Sequence, residues 1–336
     1  MKKLNSILFV IALTIFFGCK KEREFPEVKN LSEYKNTDFN PTLEHKITKD
    51  KNHVYCATLL FAWDEVKNQI NAPLIISEQY GDLKLLHQST SYENVLNKNE
   101  YDVSGEIEEN RIKATAIFKK SLPFEIKLQK FNNKLVFNGQ KVESFGVTGF
   151  DDYELLKNVK IAYYKDDNNF IIKLVPKDAE HEIILFKSER DFNSIAEMTL
   201  EINKLIEIGK EEKKNNKINW KYQYNYEDIV VIPKFNFNIQ TNFKNIEGNK
   251  FTTEKSNFVI EEVWQRTAFI LDESGAEIES EAIMEASVEE LAEDFEEPKP
   301  KKMIFDKPFL VLLKRTNIKN PYFALWTTNT ELMIEE

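Results

Sequence analysis

Met303-Ile304-Phe305-Asp306-Lys307-Pro308-Phe309-Leu310-Val311-Leu312-Leu313 is the stretch that decides how this 336-residue chain reads. From Phe309 to Lys314 it is an apolar run of strand length. Working outward, Tyr322 to Trp326 reads as a strand downstream, and Ile229 to Ile232, Phe235 to Ile239 and Trp264 to Leu271 as strands upstream. Lys160 to Tyr164 and Phe170 to Val175 flank Asp166-Asp167-Asn168-Asn169, a hairpin signal. Ile112 to Phe118 alternates, and so do Phe124 to Phe131 and Lys134 to Val142 around Asn132-Asn133 and Gly139. Two segments keep helical spacing. One is Tyr55 to Ile70, stopping before Asn71-Ala72-Pro73; the other is capped by Asp191 and sets Phe192, Ile195, Met198, Ile202, Leu205 and Ile206 on one face. Leu83 to Gln88 and Tyr101 to Ile107 stay open between helix and strand. Many strands and few helices, in no βαβ rhythm, predict an α+β fold with mixed, largely antiparallel sheets and packed helices.

Composition narrows the function. The 46 basic and 56 acidic side chains leave a net charge of −10, the wrong sign for a simple nucleic-acid binder. With 42% hydrophobic residues, 25 Phe and 12 Tyr the chain can bury a large core. Nine Gly residues and no glycine-rich phosphate loop argue against dinucleotide or P-loop chemistry. His45, His53, His87 and His181 are scattered without metal-ligand spacing, and no GxSxG elbow is present. We therefore expect no enzyme, no cofactor and no metal.

The N-terminus reads as an address. Met1-Lys2-Lys3 is followed by an apolar run from Ile7 to Phe17, then Gly18-Cys19. That is the layout of an export signal over 1–18, too short to span a bilayer. A small residue before Cys19 resembles the lipobox of bacterial lipoproteins, with Phe16 and Phe17 departing from it. The expectation is an acylated Cys19 holding the chain to the bilayer of the cell envelope, on the outer membrane, with residues 19–46 as a tether and 47–336 as the folded domain. Cys56 is then the remaining cysteine, in an apolar stretch, and reads as a buried thiol.

The quoted stretch resembles the signature of the serpins. Pro321-Tyr322-Phe323-Ala324-Leu325-Trp326 is similar to the last strand of that family, with Leu325 where a Gly is usual. Trp264 to Glu277 resembles the strand-and-hinge segment, Ile232-Pro233-Lys234-Phe235-Asn236-Phe237 the strand pair before it, and Ile171 to Pro176 a family hairpin. Ala116-Ile117-Phe118-Lys119-Lys120 with Pro123-Phe124 resembles the central strand of the main sheet; the family's Trp after it is absent, Leu122 being nearest. The matches run in family order from about residue 111 to 330. Upstream the chain is short for the family, so the N-terminal helical part is expected to be reduced.

The resemblance implies a protease inhibitor that works mechanically. A serine-type protease cuts an exposed loop, here 274–303, and the freed hinge inserts as a strand into the main sheet. Glu273, Gly275, Ala276, Ile278, Ser280 and Ala282 fall in the hinge, Lys234 would pair with Glu273 at its gate, and a family-typical loop length puts the cut near Glu289-Glu290. Insertion needs alternate residues to fit a core. Ala276, Ile278, Ser280 and Ala282 make a small or apolar face; Glu277, Glu279 and Glu281 share the other, where like charges repel by ~0.2–1 kcal/mol per pair. The loop carries no Lys or Arg between Gly275 and Lys299, so a trypsin-like cut would have to fall at Lys299, Lys301 or Lys302. The other reading is a non-inhibitory binding module that uses the acidic loop or the sheet surface.

Overall fold

The computed structural model describes residues 23–108, 111–278 and 299–335. The chain is α+β. Phe309–Arg315 lies inside a seven-stranded sheet ordered Val159–Asp166, Asn169–Leu174, His181–Lys187, Phe309–Arg315, Phe323–Thr327, Asn52–Cys56 and Thr37–Asn40. Neighbours are antiparallel except the last pair, which is parallel. His181–Lys187 is buried throughout and Phe309 to Lys314 likewise. Strands covered on both faces have no wet side to encode, so they read as apolar runs rather than alternations.

Two further sheets share this core. One orders Lys302–Ile304, Ile229–Pro233, Gln140–Thr148 and Gln129–Phe137; the other orders Lys29–Asn30, Phe235–Asn242, Trp264–Asp272, Gly275–Ile278 and Lys120–Pro123. Phe309 stands where the three meet. Its ring lies 6.2 Å from Phe137 of the four-stranded sheet, 6.1 Å from Phe235 of the five-stranded sheet and 4.8 Å from Phe305. Between Pro233 and Phe235 the chain passes from one sheet to the other at a single residue, Lys234. A three-stranded sheet carrying Lys250–Thr252 sits beyond Asn242, at the far end of the five-stranded sheet from Lys234.

Several expectations are corrected. Residues 23–46 are not a tether. Lys29–Asn30 and Thr37–Asn40 are strands, and Phe39 and Leu43 are buried. The polar composition misleads because this segment pairs through its backbone. Tyr55 and Cys56 end a strand, and the helix begins at Thr58 and runs to Ile70. The later helix, Ile195–Lys213, is capped by Ser194, whose Oγ accepts from Glu197 N at 3.2 Å, and not by Asp191. Asn132-Asn133 makes a register shift within Gln129–Phe137 rather than a turn, and the turn falls at Asn138-Gly139, both at positive φ. Of the expected central strand only Lys120–Pro123 joins the five-stranded sheet; Arg111–Ile117 pairs with Asp102–Glu108 instead. The expected loop of 274–303 is shorter, because Gly275–Ile278 and Lys302–Ile304 are strands. Signal residues 1–18 lie outside the described residues.

Two buried polar groups generate tests. Lys301 and Asp228 form a fully buried pair, Nζ to Oδ2 2.6 Å, and Asp228 Oδ1 also accepts from Lys301 N at 2.7 Å. Asp228→Ala strands an ammonium in the core, and a loss of about 3–5 kcal/mol in urea unfolding is expected. His53 accepts from Thr48 N on Nε2 and donates from Nδ1 to Asn40 Oδ1, both at 2.9 Å. Burial first, and Lys51 with it, outweigh Asp38 and push its pKa down to about 4. The folded state thus holds His53 neutral while the unfolded chain protonates it. Its contribution is complete above the ordinary histidine value and is lost as pH falls from there toward 4. His53→Gln should flatten the fall in stability across that window by up to roughly 3 kcal/mol, read from denaturant midpoints at several pH values.

Candidate functional site

The hinge is a tight turn followed by a strand. Asp272 ends Trp264–Asp272, Glu273 and Ser274 form the turn, and Gly275–Ile278 runs back antiparallel. Ser274 N donates to Asp272 Oδ1 at 2.7 Å, which closes the turn. Gly275 is required twice over. Its φ is +125°, and a Cβ there would stand 2.3 Å from the carbonyl oxygen of Leu122. The hinge strand is also paired on its other side, antiparallel to Lys120–Pro123, with Gly275 opposite Pro123 and Ile278 opposite Lys120. It therefore lies inside the sheet rather than beside it. Ala276 and Ile278 are buried, and Glu277 faces the partly wet side.

Lys234 and Glu273 are brought together, Nζ to Oε2 2.7 Å, and Glu143 adds a second carboxylate to Lys234 at 3.2 Å. Burial works against the charge on Lys234, but the two carboxylates outweigh it and hold the ammonium above its ordinary value. Burial likewise opposes ionisation of Glu273, and Lys234 overcomes it, so the carboxyl is held below its usual range. Backbone bonds tie the turn to its surroundings: Phe124 N donates to Ser274 O at 3.0 Å and Leu128 N to Glu273 O at 2.8 Å. Cys19, Ser280, Ala282, Glu289 and Glu290 lie outside the described residues.

Arg23 escaped sequence reasoning. Its guanidinium donates to Asp272 Oδ1 at 2.7 Å and to Glu277 Oε1 at 3.1 Å, straddling the turn and the hinge strand. The segment behind it stays on the sheet: Asn238 Nδ2 donates to Pro26 O at 2.8 Å, and Lys29–Asn30 pairs parallel with Ile239 and Gln240. A lone Arg in a polar stretch carries no periodicity; the only available signal was the opposite charge of Asp272 and Glu277. Among the described residues, no group of three or more His, Cys, Asp or Glu is placed to hold a metal ion.

The sequence matches no family model and no curated protein. Solved structures do match. Thyroxine-binding globulin in complex with thyroxine is 12% identical over 65% of this chain and 55% of that one, with a TM-score of 0.33. The Manduca sexta serine protease inhibitor serpin-12 is 11% identical over 63% and 53%, TM-score 0.34, and a cleaved Serpin 42Da 11% over 82% and 66%, TM-score 0.39. The chain thus spans 53% to 66% of the length of these structures. Its fold assignment rests on the strand order and registers given above.

Urea unfolding separates the two cations of the hinge. Lys234→Met removes the cation between Glu143 and Glu273, leaving only the more exposed Lys130, 3.5 Å from Glu143, and should cost about 3 kcal/mol. Arg23→Ala removes a partly exposed clasp and should cost no more than about 1 kcal/mol.

Proposed function

We propose that the chain is a serpin-like, envelope-anchored inhibitor of a serine-type protease that acts by inserting its cleaved loop. The observation that carries this reading is the hinge strand, already seated between two strands, together with the edge it points along. On that side Trp264 to Ala268 holds no strand among the described residues. Continued in the same register, Ser280 would oppose Thr267 and Ala282 would oppose Gln265, both buried, while Glu281 would oppose the exposed Arg266. Small residues would enter the core side and a carboxylate would meet a guanidinium on the wet side.

The return of the loop bears on the target. Lys301 is fully buried on Asp228 and cannot enter a protease pocket, which removes one of the three trypsin-like sites. Lys302 lies in a strand paired with Ile229, and the bond after Lys299 leads into Pro300. This supports a protease that accepts an acidic or small residue, with Glu289-Glu290 as the candidate region. Anchoring through acylated Cys19 belongs to the same proposal, on the pattern of the first nineteen residues.

One observation favours the second reading, a serpin-like binding module that does not inhibit. Lys120–Pro123 ends level with Ile278, and Arg111–Ile117 pairs elsewhere, so an inserting strand would gain partners on one side only beyond that point. Half the backbone bonds means less work available to distort a protease.

A protease panel that includes Glu-specific and elastase-like enzymes, run with a melting curve on the cleaved product, decides between them. The inhibitor reading expects a covalent, detergent-resistant adduct with a serine protease. Cleavage that raises the melting temperature without an adduct would mean insertion too slow to trap. Cleavage with neither leaves the binding module.

A further inference from the structure

Four large apolar side chains stand exposed on segments that hydrogen bonds connect to the hinge turn: Ile126 at 45%, Phe150 at 60%, Tyr153 at 73% and Tyr226 at 69%. They are held there by the backbone. Gly149 N donates to Asp228 O at 2.7 Å, and a Cβ on Gly149 would stand 1.7 Å from Asn225 O, so the Phe150 and Tyr226 loops are pressed together and their rings lie 3.7 Å apart. Tyr153 begins a one-turn helix, with Lys157 Nζ 4.6 Å over its ring. Asn158 Nδ2 donates to Ile126 O at 2.9 Å. Asp151, between Phe150 and Tyr153, accepts from Thr148 N at 2.6 Å and from the side chain of Gln129, the residue after Leu128, which is itself bonded to Glu273 O.

The N-terminus comes to the same pole. Arg23 is fixed to Asp272 at the turn, and Cys19 is four residues earlier, a reach of at most about 14 Å. With Cys19 acylated, which is the anchoring reading above, the bilayer surface lies within about 14 Å of the Arg23 backbone, whose guanidinium contacts the hinge turn. We propose that this pole rests on the bilayer, with Ile126, Phe150, Tyr153 and Tyr226 seated at the headgroup boundary. Aromatic side chains with one polar end fit that boundary, and the inference from the short anchor selects lipid as the occupant. The opposite end of the five-stranded sheet then points away. Trp264, 52% exposed, lies there, eight residues along the strand from Asp272 and about 27 Å distant.

The test uses the acylated full chain in phosphatidylethanolamine–phosphatidylglycerol vesicles with brominated acyl chains, which quench nearby indole emission. Phe150→Trp and Tyr226→Trp should each add emission that the brominated lipid removes. An added Ile75→Trp, on the sheet beyond the far end, should keep the emission it adds. If the chain floats with the vesicles but the Phe150→Trp signal is unquenched, or the Ile75→Trp signal is quenched equally, the orientation is wrong. An unquenched Phe150→Trp signal that shifts only when a protease is added would mark the patch as a protein-docking surface and also overturn the proposal. A chain that fails to float refutes the acyl anchor itself, and the orientation falls with it.

Discussion

Everything around the hinge depends on one buried ammonium. Lys234 sits where the chain leaves the four-stranded sheet and enters the five-stranded one, with its side chain 5% exposed. A charge at that depth is tolerable only when paired. Its two carboxylates come from different places, Glu143 from the four-stranded sheet and Glu273 from the hinge turn. The Lys234 backbone adds to the junction: its N–H donates to Glu143 O at 2.9 Å, and its carbonyl accepts from Ile334 N at 3.0 Å. The residue fixes the angle between two sheets and the position of the turn at once.

Buried lysines recur at the other end of the loop. Lys301 is fully buried on Asp228 and lies 5.5 Å from the Trp220 ring centre. Lys187 donates to Ile304 O and to Asp306 Oδ1, each at 2.7 Å. Departure at Lys234 and return at Lys301 and Lys187 are thus both set by ammonium groups whose partners come from other segments of the chain. The chain between Ile278 and Lys299 joins two fixed ends. Phe309 performs the apolar counterpart of this task, since its ring meets all three sheets. Arg23 adds a third attachment from the N-terminal segment.

How far the sequence could be read follows from which forces are local. Strands such as Phe235–Asn242 and Trp264–Asp272 were legible because burial imposes an apolar pattern on them. The alternation of Ala276, Glu277 and Ile278 was legible for the same reason; the pairing of Lys234 with Glu273 came only from what the serpin resemblance implied. Where strand pairing and contacts with distant residues hold a segment, composition gave the wrong answer. Lys29–Asn30 and Thr37–Asn40 looked like a polar tether, yet the first joins Phe235–Asn242, far away in sequence, and the second joins Asn52–Cys56 at the edge of the seven-stranded sheet. Asp191 and Ser194 are both acceptable caps, and the choice was made by where the helix packs.

The amino-acid order by itself determined the α+β class, the strands quoted between Ile229 and Trp326, the glycine at position 275 and the faces that Ala276, Glu277 and Ile278 present, because each follows from side-chain size, period or a single backbone torsion. Only the tertiary structure decided that the hinge strand is paired on both sides, that Lys301 is buried rather than open to a protease, and that Arg23 closes over Asp272 and Glu277. Those outcomes depend on charges and backbone edges from distant segments meeting in space, and such meetings leave no periodic trace along the chain.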